Sequence, residues 1–245
     1  MESVKKHFSK KNIILFIVGA ITLVLLYLFL PIFYTKNITI LGNTNLKAGD
    51  LKKFSEETTE KNIYLVKTKI IEEDFRQSPY IKSINIKRQF PRTLIYQINE
   101  RKPVASIKFS GGFAIIDDFG VVLRTSQDIN DIVKPLIKGI KLSEITIGKE
   151  IASEDINNLT TSLDALSNVK TAQLLNNISQ IDISDPQNIY MITPQGITVL
   201  LGEGKDMNQK MRVLNKILID LFERKIYSGY VDMRYDAYPV YRSKK

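Results

Sequence analysis

The chain has 245 residues, a formal net charge of +9, no cysteine and one histidine, His7. Disulfides, thiolate nucleophiles and zinc–sulfur centres are therefore excluded, and no imidazole base is available beyond the first twelve residues. No basic stretch is interleaved with aromatics in the way nucleic-acid recognition requires.

Lys5, Lys6, Lys10 and Lys11, opposed only by Glu2, precede one uncharged apolar run from Ile13 to Tyr34. At about 1.5 Å per residue the run is roughly 33 Å long as a helix, enough to cross a bilayer core. The lysines keep the first twelve residues in the cytoplasm and send the remainder across, even though Lys36, Lys47, Lys52 and Lys53 follow the run. A cleaved signal peptide would need a shorter apolar region and small residues at its end, and Pro31-Ile32-Phe33-Tyr34 is bulky. The run is expected to stay as an anchor, with Tyr27, Phe33 and Tyr34 in the outer headgroup belt. Of 35 basic and 26 acidic residues, the tail holds four Lys and one Glu, so the exported part keeps an excess of +6. That excess suits either anionic lipid heads and wall polymers or a plain solvated lysine surface.

Lys36 to Leu41 reads as a β-branched strand, stopped at Gly42-Asn43. Asn45 is expected to cap a short helix with Leu51 and Phe54 on one face. Thr68 is expected to cap a second, with Ile70, Ile71 and Phe75 on one stripe and Glu72, Glu73 and Asp74 outward. Ile84 and Ile86 then alternate with polar residues. So do Leu94, Tyr96 and Ile98 after the Phe90-Pro91 turn. The order is strand, helix, helix, strand, strand, which predicts a three-stranded sheet covered on one face.

Ile84-Asn85-Ile86-Lys87-Arg88-Gln89-Phe90-Pro91-Arg92-Thr93-Leu94, followed by Glu100-Arg101-Lys102-Pro103-Val104-Ala105, resembles the closing hairpin of a POTRA domain. One membrane helix followed at once by such a module resembles the FtsQ/DivIB cell-division family. Ile40-Leu41-Gly42-Asn43 is similar to the opening of the same module.

Farther along, Phe113 to Leu123 reads as a hairpin turning at Asp118-Phe119-Gly120, and Pro135-Leu136-Ile137-Lys138-Gly139 as a loop. Ser153 is expected to cap a helix with Ile156, Leu159, Leu163 and Leu166 on one face. Three strands follow: Ile178 to Ile183, Ile189 to Thr193, and Ile197 to Leu201. Asp206 opens a long helix with Met211, Leu214, Leu218 and Leu221 inward. Gly229 introduces a final strand, Tyr230 to Tyr235 and then Tyr238 to Tyr241. This order resembles the β-domain that follows POTRA in the same family. Ile181-Asp182-Ile183, Gly196-Ile197-Thr198-Val199-Leu200-Leu201-Gly202, Lys210 and Val231-Asp232-Met233-Arg234-Tyr235 fall where its members carry similar residues.

Several motifs have simpler readings. Asp118-Phe119-Gly120 spells the kinase magnesium motif, but the other kinase elements are missing, so it reads as a turn. Gly202-Glu203-Gly204-Lys205 lacks the spacing of a phosphate loop. Glu72-Glu73-Asp74 and Asp117-Asp118 read as a helix face and a turn rather than a calcium site. A wall hydrolase would need an acid–base pair in a pocket, and these carboxylates lie on polar faces.

The C-terminal strand carries Arg234, Tyr235, Tyr238 and Tyr241 and has no successor. An unpaired edge is a template for an incoming strand, with Tyr and Arg as anchors. It is also one that Arg242, Lys244 and Lys245 could simply protect. The family resemblance implies the first reading, with these four residues as partner-binding. It implies an α+β architecture: tail 1–12, transmembrane helix 13–34, POTRA domain 35–103 and β-domain 104–245 with a C-terminal edge strand. It further implies a non-enzymatic septal scaffold in the cell membrane, N-terminus cytoplasmic. Its partners would be FtsB/DivIC-type and FtsL-type bitopic proteins, and no catalytic residue, cofactor, metal, nucleic acid or small-molecule substrate is expected. The alternative is a POTRA-bearing component of protein export or envelope assembly, which normally requires repeated POTRA units or a following barrel.

Overall fold

The structure is a computed structural model and describes residues 10–42, 58–235 and 238–244. The expected helix around Leu51 and Phe54 lies outside the described residues. The chain forms two compact units: Met1–Gln77 with Ile81–Glu100, and Ser78–Tyr80 with Arg101–Lys245.

In the first unit, helix α1 spans Lys10–Leu28 and buries none of its side chains. It is long and apolar enough to cross a membrane. The helix ends earlier than the apolar run. Pro31 disfavours helical geometry at Leu30, which adopts φ −61° and ψ 144° before a 3₁₀ turn over Pro31–Phe33. Phe33, expected in the headgroup belt, is buried within the protein: it is 6% exposed and packs in a core with Ile63, Val66 and Phe75.

Strands β1 (Asn37–Leu41), β2 (Ile81–Gln89) and β3 (Thr93–Glu100) form a sheet in the order β1-β3-β2. β1 runs parallel to β3, pairing Ile38 with Leu94, while β2 is antiparallel to β3, pairing Ile84 with Ile98 and Ile86 with Tyr96. The alternation holds: Ile84, Ile86, Leu94, Tyr96 and Ile98 are all buried. Each such side chain contributes about 1.5–3 kcal/mol by leaving water. Helix α2 (Thr68–Arg76) buries Ile71 and Phe75, the latter edge-on to Tyr96 at 5.9 Å. Three expectations fail here. Lys67, not Thr68, is the N-cap, and it makes no side-chain capping bond. Ile70 is half exposed, because the Ile71–Phe75 spacing of one helical turn sets the buried stripe and Ile70 lies about 100° away from it. Glu72 also turns partly inward and accepts a hydrogen bond from Ile86 N at 2.9 Å, satisfying a donor of edge strand β2.

The second unit is built on nine strands in the order β14-β13-β12-β11-β10-β7-β4-β5-β6. They are β4 (Ala105–Phe109), β5 (Gly112–Ile116), β6 (Val122–Ser126), β7 (Leu136–Lys138), β10 (Gln180–Asp182), β11 (Ile189–Ile192), β12 (Ile197–Gly202), β13 (Gly229–Asp232) and β14 (Val240–Arg242). A separate pair is formed by β8 (Leu142–Glu144) and β9 (Ala152–Ser153). Helices α3 (Ile156–Thr171) and α4 (Met207–Glu223) supply the crossovers into β10 and β13. Such links are required because β10 is parallel to β7 and β13 is parallel to β12.

The hairpin at Asp118-Phe119-Gly120 and the inward stripe of α4 stand as expected; Met207 extends that stripe. Four readings change. The segment read as a loop at Pro135–Gly139 contains β7, where Ile137 is fully buried between β4 and β10. Three residues are too few to display a period. Strand β4 was not anticipated. The α3 cap is Asp155, whose carboxylate accepts from Asn158 N at 3.0 Å, while Ser153 donates its hydroxyl to Lys141 O. The buried face of α3 is Ser162, Ala165, Leu166 and Val169; Leu159 and Leu163 pack at its margin and Ile156 is 72% exposed.

Candidate functional site: the open edge of the second sheet

β14 is three residues long and pairs with β13 alone among the described residues, joining Tyr230 to Arg242, Val231 to Tyr241 and Asp232 to Val240. Its fit depends on Gly229, at φ +134°. A Cβ there would lie 2.6 Å from Arg242 O and 2.7 Å from the Tyr241 ring, so any side chain would push β14 away. The Tyr241 hydroxyl donates to Ser228 O at 2.8 Å.

The four residues singled out from sequence therefore do not stand on one strand. β13 ends at Asp232, and Arg234 and Tyr235 lie in the bend that follows it. Tyr238 precedes β14, and only Tyr241 belongs to it. A run of tyrosines reads as a single strand, but the chain turns between Met233 and Pro239. Tyr235 is 70% and Tyr238 is 95% exposed.

Arg234 is fixed from below. Its Nε donates to Asp232 Oδ1 at 2.9 Å and its Nη2 to Oδ2 at 2.7 Å, a two-pronged charged contact that holds the guanidinium plane. The bonds from Arg234 hold the Asp232 carboxyl below its ordinary value of 3.8, outweighing the opposing effect of burial. The guanidinium carbon lies 5.6 Å from the Tyr235 ring centre, within cation–π range. Gly202 lies beneath at φ +69°, where glycine is favoured; a Cβ there would be in ordinary contact with Arg234 Cα at 3.4 Å.

Beside this edge is a cleft of about 660 Å³, lined by Asp206, Gln209, Lys210 and Val213 from the start of α4 and by Met233, Tyr235, Tyr238 and Pro239. Lys210 is itself held, donating from Nζ to Leu201 O at 2.7 Å. Gln209, Val213, Met233 and Pro239 were not foreseen. The one available signal was the i, i+3, i+4, i+7 spacing of Asp206, Gln209, Lys210 and Val213, which share a helix face.

Among the described residues no three His, Cys, Asp or Glu side chains gather where they could hold a metal ion. Asp117 is consumed by its turn: it accepts from Arg101 Nη1 at 2.6 Å and from the backbone N of Phe119 and Val121 at 2.9 Å each. Asp118 pairs with Lys170. Burial pushes the Asp182 carboxyl up. Bonds from Ser184 and Tyr190, with the nearby Lys138 charge, more than offset this and hold it below its ordinary value.

Comparison with known proteins gives two family matches. Residues 33–101 match the FtsQ-type POTRA domain, and residues 105–234 match the C-terminal domain of cell division protein FtsQ/DivIB. Among similar curated proteins, the cell division protein DivIB of Clostridium botulinum is 28% identical over 98% of this chain and 94% of its own length. DivIB of Clostridium acetobutylicum is 27% identical over 89% of this chain and 86% of its own. FtsQ of Syntrophotalea carbinolica is 23% identical over 82% and 70%.

Proposed function

The chain belongs to the FtsQ/DivIB family of cell-division proteins, and from that premise we propose that it is a non-enzymatic septal scaffold. It holds small bitopic division proteins of the FtsB/DivIC and FtsL types and so helps control septal peptidoglycan synthesis. In this reading residues 35–103 are the POTRA domain and 104–245 the β-domain. The lysines before the apolar run keep the N-terminus in the cytoplasm and place both domains outside.

The observation that carries the proposal is the outer side of β14, which no described segment covers, beside exposed Tyr235 and Tyr238. Backbone pairing along such an edge supplies affinity, and Arg234, Tyr235, Tyr238 and Tyr241 supply selectivity. Deleting residues 240–245 from the membrane-embedded protein removes this edge. Copurification of the small partners should be lost while circular dichroism stays that of a folded protein. Retained copurification moves the site elsewhere. A reporter active only outside the cytoplasm, fused after Lys245, should be active.

A further inference from the structure

We propose that the first unit carries a second lipid contact: the aromatic face at the foot of α1 is seated in the phospholipid headgroup layer of the leaflet from which the helix emerges. The proposal rests on the reading that α1 spans the membrane, and it goes beyond the scaffold role.

The geometry is a continuous line of rings. Tyr27, in the last turn of α1, meets Phe33 edge-on at 5.2 Å between ring centres. Phe33 meets Tyr64 at 5.3 Å, and Tyr64 stacks on Phe90 at 4.9 Å, with planes 29° apart. The inner member, Phe33, is buried, but the others face outward: Tyr27 is 58%, Tyr64 40% and Phe90 52% exposed. Leu65, at 62%, and Ile32, at 46%, widen the same apolar surface. A water-soluble domain gains nothing by displaying two stacked aromatics beside a bare leucine. At a membrane surface, amphipathic rings are in their preferred place.

What covers this face is decided by what it is tied to. Asn62 donates from Nδ2 to Leu28 O at 2.8 Å, filling a carbonyl at the end of the membrane helix. Ile63 N donates to Phe33 O at 2.8 Å, and Thr35 N to Lys61 O at 2.9 Å. The loop that bears Tyr64 and Leu65 is thus bonded to the last turn of α1 and to the chain leaving it, so wherever α1 surfaces, these rings surface with it. Charge agrees. Lys36 N donates to Arg92 O at 3.0 Å, and the bond to Lys61 O sets a third basic residue on the same strap. Glu60 is the acidic residue of that loop. Arg88 joins the same loop, donating to Ile63 O at 2.8 Å and to Val66 O at 2.7 Å, and this basic excess among the described residues suits phosphate headgroups.

The chain contains no tryptophan, so single substitutions report position without background. Full-length Phe90→Trp, Tyr64→Trp, Phe16→Trp and Phe119→Trp are each reconstituted in phosphatidylglycerol–phosphatidylcholine vesicles whose acyl chains carry bromine. Phe16 is on α1 and 78% exposed; Phe119 is an exposed aromatic of the second unit. Phe90→Trp and Tyr64→Trp should lose fluorescence, more with bromine near the headgroup than near the chain end, while Phe119→Trp keeps its emission. If Phe16→Trp is quenched and both Phe90→Trp and Tyr64→Trp are not, the docking is overturned and the span stands. An unquenched Phe16→Trp overturns the span and the docking with it. Equal quenching of Phe119→Trp marks adsorption without a preferred face and also overturns the assignment.

Discussion

The two ends of the nine-stranded sheet face the same physical problem and meet it differently. At the β6 end the chain covers its own edge. Gly148 N donates to Val122 O at 2.7 Å, Val122 N donates to Lys149 O at 2.9 Å, and Val121 bridges Glu150. Beyond them Arg124 donates to Asp131 O at 3.0 Å and Ser126 to the Asp131 carboxylate at 3.0 Å. At the β14 end no described segment lies outside the strand, and Val240 is 49% exposed. Exposed edges invite pairing with other chains, and proteins ordinarily blunt them. One edge is blunted by two of the protein's own segments, 148–150 and the turn at Asp131, while the other ends, among the described residues, on a three-residue strand.

The comparison holds only if both edges belong to one body, and the largest expected effect tests that. Ile137 sits on the central strand β7 and is fully buried. Ile137→Ala should cost about 2–5 kcal/mol in denaturant or thermal unfolding. Unchanged melting would mean that the two halves of the sheet are not coupled through β7. Next is Tyr235→Ala, which should weaken partner binding by about 1–3 kcal/mol in a titration, the range of an interface anchor. Equal affinity would show that the edge binds through its backbone alone. The third test is pH. Asp232 is held below its ordinary value of 3.8 in the folded protein. Its contribution is therefore complete above that value and is lost as pH falls through the lower folded value. Asp232→Asn should remove this part of the acid-induced loss of stability, with Arg234 freed in the variant at every pH. A stability profile that the substitution leaves unaltered would sink the idea that the fork orders the edge. The smallest effect belongs to the closed end. Asp131→Ala breaks an exposed pair, Arg124 Nη1 to Oδ2 at 3.6 Å. It should cost at most about 1 kcal/mol and leave partner binding untouched. Lost binding would reverse the roles of the two ends.

Legibility from sequence followed burial geometry. Leu94, Tyr96 and Ile98 alternate because one face of their sheet meets the core, and that period survives in the letters. The α4 stripe was equally readable, since Met211, Leu214, Leu218 and Leu221 repeat at helical spacing over a long element. On α3 the apolar residues occur on more than one side, so Ile156 and Leu159 suggested a face that packing against the sheet rotated toward Ala165 and Val169. β7 could not be read, because its three residues become a strand only through parallel partners far away in the chain. At the candidate site the residue types were legible and their placement was not. Nothing local in Met233 to Pro239 separates one long strand from two short ones joined by a bend.

The position of β7 also governs how the second unit assembles. On one side, β4, β5 and β6 are consecutive hairpins between Ala105 and Ser126; on the other, β10, β11 and β12 are consecutive hairpins between Gln180 and Gly202. Local hairpins close in microseconds, whereas long-range parallel pairing must first meet the entropy of a large loop. By this argument β7 should join the two halves last, with the crossover from Lys138 to Gln180 as the slow step. In a refolding experiment with pulsed hydrogen exchange, the amides within the β4–β5 and β11–β12 hairpins should gain protection first. Those that link β7 to β4 and β10 should follow; simultaneous protection of all of them would remove the seam from the pathway.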